Sequence, residues 1–210
     1  VGCLWRDATD LWMGLNRGGK ETSKKLRAYV DDIFRSTDSL AVAFNHGVWY
    51  NQGWDDSQAK YKPDINEVFM EFFRLAERHT NKSITVSWME TQAQHFNSSL
   101  HHSTGYYSGL HEKNPKKGPN AKNYFCNDIA NKSLEGDWRN HEVWELIPDL
   151  YEKYNSLPNL HLSVVHLRGL TEPLYNMHMH NDYPDCTHYC VTPMMYQPAF
   201  YELEQAVSLL

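Results

Sequence analysis

The sequence has little cysteine, no excess of positive charge and no long apolar run. Its 20 Lys and Arg residues are outnumbered by 26 Asp and Glu residues, so the formal net charge is −6. A nucleic-acid-binding surface needs clustered positive charge, so we do not expect nucleic acid as a partner. The apolar run from Leu40 to Phe44 is about a quarter of the ~20 residues that a membrane-spanning helix needs, which argues against a transmembrane segment. The remaining picture is a chain of 210 residues, 41% hydrophobic, with enough apolar side chains for one folded domain.

The few cysteines still carry information about the compartment. There are four, and no two of them form a CxxC pair, so neither a zinc ribbon nor a thioredoxin-type motif is present. Three Asn-x-Ser sequons accompany them and favour the secretory pathway, in the Golgi lumen or outside the cell. Free buried thiols and unused sequons are the alternative. The disulfide candidates are Cys3, Cys126, Cys186 and Cys190, and the glycosylation candidates are Asn81, Asn97 and Asn131. Their pairing is open, since four cysteines permit three pairings.

Helical and strand patterns alternate along the chain. Apolar positions at helical spacing between Thr22 and Phe34 precede a short buried strand from Ser39 to Phe44. Asp64 and Glu67 have the spacing of a capping box that opens a second helix. That helix is followed by a strand marked by the alternating residues Ile84, Val86 and Trp88.

A third helix and strand follow the same order. The helical stripe runs from Val143 to Tyr154, and the strand from Leu160 to Leu167. A closing helix then begins with Pro198 in its first turn, carries Phe200, Leu203, Val207 and Leu210 on one face, and is expected to dock on the sheet. This order predicts an α/β fold, a three-layer sandwich with a parallel sheet covered on both faces. Residues 101–140 interrupt it as a long loop insertion within a single domain.

Chemistry in open parallel sheets gathers at the carboxyl ends of the strands. Asn45 lies in the block Asn45-His46-Gly47-Val48-Trp49-Tyr50, directly after the first strand. An asparagine amide there can donate a hydrogen bond to a developing oxyanion. An ordinary Asn-Gly turn is the alternative. Trp49 and Tyr50 are candidates for stacking on sugar rings, or else core aromatics.

Near the other end of the chain, Asp185 precedes His188 by three residues. A carboxylate at that spacing can accept the imidazole Nδ1–H and leave Nε2 free to take a proton from a nucleophile. Cys186 and Cys190 bracket the histidine, and a disulfide at either would hold the segment in place.

The same region allows a different chemistry. His178, His180 and His188 could hold a zinc ion together with nearby carboxylates. A packed polar loop is the simpler interpretation, and we predict no metal and no cofactor.

These blocks resemble a known family. Asn45-His46-Gly47-Val48-Trp49 is similar to the Asn-x-Gly block of the PC-esterase branch of the SGNH (GDSL-like) hydrolases, which includes the trichome-birefringence-like polysaccharide O-acetyltransferases. The segment from Asp185 to Cys190 resembles that family's Asp-Cys-x-His-Trp-Cys, with Tyr189 replacing Trp. Met89 to Phe96 resembles the family's segment ending in His-Phe, without its arginine and serine-proline. That last likeness makes His95 a weak substrate-binding candidate.

The resemblance implies an SGNH-like fold and a Ser-His-Asp mechanism that moves an acyl group, most simply acetyl, onto or off a carbohydrate hydroxyl. Asp185 and His188 would be catalytic, and Asn45 would serve the oxyanion hole. The partners would be a glycan acceptor and an acyl donor. The family's Gly-Asp-Ser nucleophile turn has no counterpart here, since Gly136-Asp137 is followed by Trp138. We therefore expect a partial chain without its first strand, which agrees with a sequence that opens at Val1. An inactive, carbohydrate-binding relative is the alternative.

Overall fold

The fold is taken from a computed structural model. It describes residues 20–45, 47, 50, 57–95, 126, 128–129, 138–180, 184–189 and 193–208. Most of the predicted insertion at 101–140 lies outside these residues. No helix in the described part of the chain combines the length and apolar content that a bilayer-spanning segment requires.

Helices and strands alternate through the described residues. In chain order they are α1 (Lys20–Ile33), β1 (Ser39–Phe44), α2 (Ser57–Arg78), β2 (Ser83–Met89), α3 (Trp138–Trp144), α4 (Ile147–Tyr154), β3 (Leu160–Val165), α5 (Arg168–Thr171), β4 (His178–His180), β5 (Pro184–Tyr189) and α6 (Pro193–Ser208).

Three of the strands form a parallel sheet in the order β1-β2-β3. Phe44, Trp88 and Val164 occupy one row across it near the carboxyl end. The residues that follow the three strands therefore emerge side by side at one edge. The parallel sheet and mixed α/β class are as the sequence predicts, and β1 has the predicted bounds.

One face of the sheet carries the main core. Apolar side chains at alternate strand positions pack with residues of α1, α2, α3 and α4. Trp88, in the central strand, is fully buried, and Phe44 packs edge-on against Phe69 of α2 with ring centroids 5.3 Å apart. Burial of this kind contributes roughly 25 cal/mol per Å² of apolar surface, so this face holds the helices to the sheet.

The closing helix, α6, covers the opposite face of the sheet near the carboxyl ends of β2 and β3. Ala199 and Leu203 of α6 pack with Met89, Val165 and Leu167. Docking of the last helix on the sheet is thus confirmed. Its predicted start was wrong, because α6 begins at Pro193, five residues before Pro198. Of the predicted face, Leu203 packs on the sheet as expected, Phe200 is 64% exposed and does not, and Leu210 and the side chain of Val207 lie outside the described part. A proline suits a first helical turn because its missing N–H has no partner there, and Pro193 rather than Pro198 has that position.

The predicted capping box was also wrong. Helix α2 starts at Ser57, seven residues before Asp64, and continues through Pro63. Asp64 instead accepts a hydrogen bond from the Tyr50 hydroxyl at 2.6 Å, and Glu67 pairs with Arg74. Both carboxylates serve tertiary or surface contacts rather than the helix terminus.

The single helix predicted between Val143 and Tyr154 is two helices in the structure. Helix α3 ends at Trp144, and α4 begins at Ile147, with Pro148 as its second residue. In one continuous helix the Pro148 ring would clash with the carbonyl of Trp144, and the break removes that clash.

Candidate functional site

Three polar side chains follow the three parallel strands at their common edge. Asn45 comes directly after β1, Glu90 after β2 and His166 after β3. Asn45 was expected from its motif. Glu90 and His166 were not singled out, although each is the first polar residue after an apolar strand, and that signal could have found them.

Asn45 joins the ends of β1 and β2. Its Nδ2 donates to the Met89 carbonyl at 2.8 Å and reaches Thr91 Oγ1 at 3.4 Å. One of the two amide hydrogens is thus committed to the backbone. The second makes only a long contact, because 3.4 Å is outside the usual hydrogen-bond range.

Gly47 lies in the same block and packs closely on Thr91. A Cβ at position 47 would be 1.9 Å from Thr91 Oγ1 and 3.2 Å from Arg139 Cδ. The glycine of this Asn-x-Gly block is therefore required for space: a side chain there would collide with the segment after β2.

Helix α3 fixes that segment from the other side. Asn140 accepts from the Thr91 N–H at 2.7 Å and donates to the Thr91 carbonyl at 2.9 Å. Arg139 donates to the Tyr50 carbonyl at 2.6 Å and to Gln94 Oε1 at 3.0 Å. Both side chains are fully buried or nearly so. Helix α3 therefore holds the segment after β1 at Tyr50 and the segment after β2 at Thr91 and Gln94.

Glu90 is buried and tied to the ends of two elements. Its Oε2 accepts from the backbone N–H groups of Leu167 and Arg168, each at 3.0 Å, and its Oε1 accepts from Trp144 Nε1 at 3.0 Å. The imidazole of His166 stacks on the Trp144 ring and has its Nδ1 3.6 Å from Glu90 Oε1. Glu90 thus organises the edge where β3 turns into α5.

The catalytic candidates Asp185 and His188 lie on β5, in an irregular part of the strand. In the antiparallel β4–β5 pair, His178 faces Tyr189 and His180 faces Pro184. A step of two residues on β4 is matched by a step of five on β5, so β5 carries three extra residues. We call residues 185–188 the β5 bulge. A regular strand would turn residues i and i+3 to opposite faces, whereas a bulge re-aims side chains. The side chains of Asp185 and His188 lie outside the described residues.

The bulge is joined to the same sheet edge as Asn45. The His95 N–H donates to the Cys186 carbonyl at 3.0 Å. His95 ends the stretch that begins at Met89, the last residue of β2, and Asn45 contacts that stretch at Met89 and Thr91. The two blocks from opposite ends of the chain therefore border one short segment.

The expected disulfide chemistry is present at the bulge. Cys186 is bonded to Cys126, 60 residues away in the chain, which settles one of the pairings that the sequence left open. Cys3 and Cys190 lie outside the described residues, as do Asn97 and Asn131 of the sequons. Asn81 lies exposed in the turn between α2 and β2.

Two of the substrate-binding candidates, Tyr50 and His95, lie in the interior, which for Tyr50 is the core alternative that the sequence left open. Tyr50 is 7% exposed and packs on Tyr61, so it is a core aromatic here. His95 is fully buried, with Nδ1 2.6 Å from His178 Nε2 and Nε2 2.8 Å from the Glu172 carbonyl. Both side chains are engaged by neighbouring protein groups. Trp49 lies outside the described residues.

Metal binding finds no support in the described geometry. No group of three or more His, Cys, Asp or Glu side chains among the described residues is arranged to hold a metal ion. His178 is buried and its Nε2 contacts His95, which keeps that nitrogen from the proposed zinc cluster. The side chains of His180 and His188 lie outside the described part.

The fold and edge geometry define a mixed α/β protein with a polar site at the carboxyl ends of a parallel sheet. Comparison with protein-family models, with curated proteins and with solved structures gives no match for this chain.

Proposed function

We propose that this chain forms the larger part of an SGNH-like enzyme that transfers acetyl or a similar acyl group onto or off carbohydrate hydroxyls. One observation supports the proposal most directly. The segment after β2 contacts Asn45 at one end and the β5 bulge through His95 and Cys186 at the other. The blocks proposed to hold the oxyanion and the base are thus bonded to the two ends of one stretch, Met89 to His95, which leaves the sheet at the edge where α/β proteins place their chemistry.

In the proposed mechanism, Asp185 accepts the Nδ1–H of His188 and fixes its tautomer. His188 Nε2 then removes the proton of a serine hydroxyl supplied from outside these 210 residues, and the serine oxygen attacks the acyl carbonyl. The leaving alcohol takes the proton from His188. A sugar hydroxyl or water then attacks the acyl-enzyme, giving a transferase or an esterase respectively, with His188 again as the base.

Asn45 is proposed to stabilise the tetrahedral oxyanion. One hydrogen on Nδ2 stays bonded to the Met89 carbonyl. The second leaves its long contact with Thr91 and donates to the oxyanion instead. Donors of this kind are worth about 10²–10³-fold in kcat. The bond to Met89 would hold the amide in place before the reaction begins, as an oxyanion donor requires.

The test is acyl transfer by the full-length protein, using p-nitrophenyl acetate as donor and neutral oligosaccharides as acceptors. We expect His188→Ala and Asp185→Asn each to lower kcat by roughly 10³-fold or more. His161→Ala, an exposed histidine of β3, is the matched control and should keep full activity. Equal rates for wild type and His188→Ala would refute the proposed base.

A carbohydrate-binding protein without catalysis is the second candidate. The specific observation in its favour is that these 210 residues contain no Gly-Asp-Ser nucleophile turn. Glycan binding by the full-length protein without any acyl transfer would support it over the enzyme.

A further inference from the structure

A buried polar cluster lies beneath the β5 bulge and has no part in the proposed chemistry. It consists of His95, His178 and Tyr189, which are 0%, 1% and 3% exposed. The ring centroids of His95 and His178 are 4.9 Å apart, and those of His178 and Tyr189 are 4.2 Å apart. Buried polar side chains are costly unless their hydrogen bonds are made, so the bonds of this cluster indicate what it does.

The hydrogen-bond partners of His95 indicate which of its ring nitrogens carries a hydrogen. Its Nε2 lies 2.8 Å from the Glu172 carbonyl, and a carbonyl can only accept, so Nε2 carries a hydrogen. Burial favours the neutral ring, which makes Nδ1 an acceptor. Two groups lie near this nitrogen, His178 Nε2 at 2.6 Å and the Tyr189 hydroxyl at 3.2 Å. Because the Tyr189 hydroxyl donates its single hydrogen to the Ala93 carbonyl at 2.6 Å, His178 Nε2 is the donor. Each ring is thereby assigned one tautomer, with hydrogen on Nε2.

The same residue and its neighbours hold the β4–β5 hairpin at several points. His95 contacts β4 through the His178 ring and β5 through its own N–H, which donates to Cys186. The Tyr189 hydroxyl donates to the Ala93 carbonyl at 2.6 Å, two residues before His95. His178 and Tyr189 face each other in the hairpin, so these contacts fasten both strands just beyond the bulge.

We propose that His95 is a positioning residue that holds the β5 bulge against the segment after β2. A two-stranded hairpin is marginally stable alone in water, so its place depends on such anchors. The catalytic consequence rests on the proposed function: His95 would set where Asp185 and His188 stand relative to Asn45. The structural claim is independent of it and is measured separately.

The test compares His95→Leu, which removes both ring hydrogen bonds, with His95→Gln, which keeps an amide N–H able to reach the Glu172 carbonyl. Hydrogen exchange followed by mass spectrometry should show faster exchange over residues 178–189 in His95→Leu, by about 10-fold or more, as expected for losing one to two buried hydrogen bonds. Exchange over β3 should stay unchanged. His95→Gln should fall between the two.

Tyr154→Phe is the matched control. Tyr154 is also fully buried, and its hydroxyl donates to the Phe69 carbonyl at 2.6 Å, far along the chain from the hairpin. It should not speed exchange over residues 178–189. Unchanged exchange there in His95→Leu, or an equal rise across the whole chain, would overturn the positioning role.

Kinetics of the full-length protein add the catalytic readout. We expect His95→Leu to lower kcat at least 10-fold with little change in KM, and His95→Gln to recover part of the loss. If the wild-type protein transfers no acyl group, the proposed function fails while the exchange data still decide the role of His95. If His95→Leu does not fold, the His95→Gln protein decides: exchange over residues 178–189 as slow as in wild type would overturn the positioning role.

Discussion

Gly47 gives the sharpest test of how the site is packed. Replacing it with alanine adds one methyl group, whose carbon would be 1.9 Å from Thr91 Oγ1, 3.0 Å from Thr91 Cβ and 3.2 Å from Arg139 Cδ. Carbon atoms pack best at about 3.5–4.0 Å, so both neighbours have to move. Rotation of the Thr91 side chain can remove the clash with Oγ1 but not the one with Cβ.

The backbone of Thr91 cannot move easily, because Asn140 binds both its N–H and its carbonyl. Overpacking at such a site costs about 1–3 kcal/mol. For a chain of this length, each kcal/mol lowers Tm by roughly 2–4 °C. We therefore expect Gly47→Ala to lower the free energy of unfolding by about 1–3 kcal/mol, measured by urea denaturation and calorimetry.

Two further variants make the measurement specific. Gly169→Ala is the matched control, because a Cβ at Gly169 in α5 would meet nothing within 4 Å; it should leave stability unchanged or raise it by up to about 1 kcal/mol. Adding Thr91→Ala to Gly47→Ala removes the closest clash, so the two changes should be less destabilising together than their sum. A Gly47→Ala protein as stable as Gly169→Ala would refute the packing argument.

Two other predictions follow from the described contacts. Burial alone would raise the pKa of the Asp31 carboxyl, but hydrogen bonds from His79 and Arg78 outweigh that effect and lower the pKa. A carboxyl whose pKa is lower in the folded state than in the unfolded state stabilises the fold at pH values above its unfolded-state pKa. That stabilisation is lost as the pH falls through the folded-state pKa. Urea denaturation from pH 6 to pH 2 should therefore show Asp31→Asn less stable than wild type at the upper end and the gap closing towards pH 2, and a constant gap would contradict this. Replacing Cys126 and Cys186 with serine should cost about 2–5 kcal/mol, and wild type under reducing conditions should fall to the same level; a variant as stable as the oxidised wild type would contradict the cross-link.

Much of the fold could be predicted because it depends on local apolar patterns. The run Ser39–Phe44 is short, apolar and bounded by polar residues, and it forms β1 with those bounds. The helix termini were less predictable. Pro63 and Pro198 both lie inside helices, although a proline there removes one backbone hydrogen bond, and the local sequence pattern does not show that each helix continues through its proline.

The candidate site was harder to predict than the fold because backbone groups build much of it. Asn45 bonds to the Met89 carbonyl, Glu90 to the N–H groups of Leu167 and Arg168, and His95 through its own N–H to Cys186. Every residue has a backbone N–H or carbonyl of nearly the same chemistry, so motif spacing cannot reveal which of them a side chain will find. His95 illustrates the result: its motif indicated contact with substrate, and its partners place it in the interior.

The same hydrogen bonds link two blocks that are far apart in sequence. Asn45 and Cys186 are separated by most of the chain, yet each is bonded to a stretch of seven residues, from Met89 to His95. That stretch is in turn held by Asn140 from α3 and by Thr171, whose hydroxyl accepts from the Ala93 N–H at 2.9 Å. Because this segment is bonded along its length, a change in its position moves both neighbouring blocks. The position of this segment would therefore set the spacing between the proposed oxyanion donor and the proposed base.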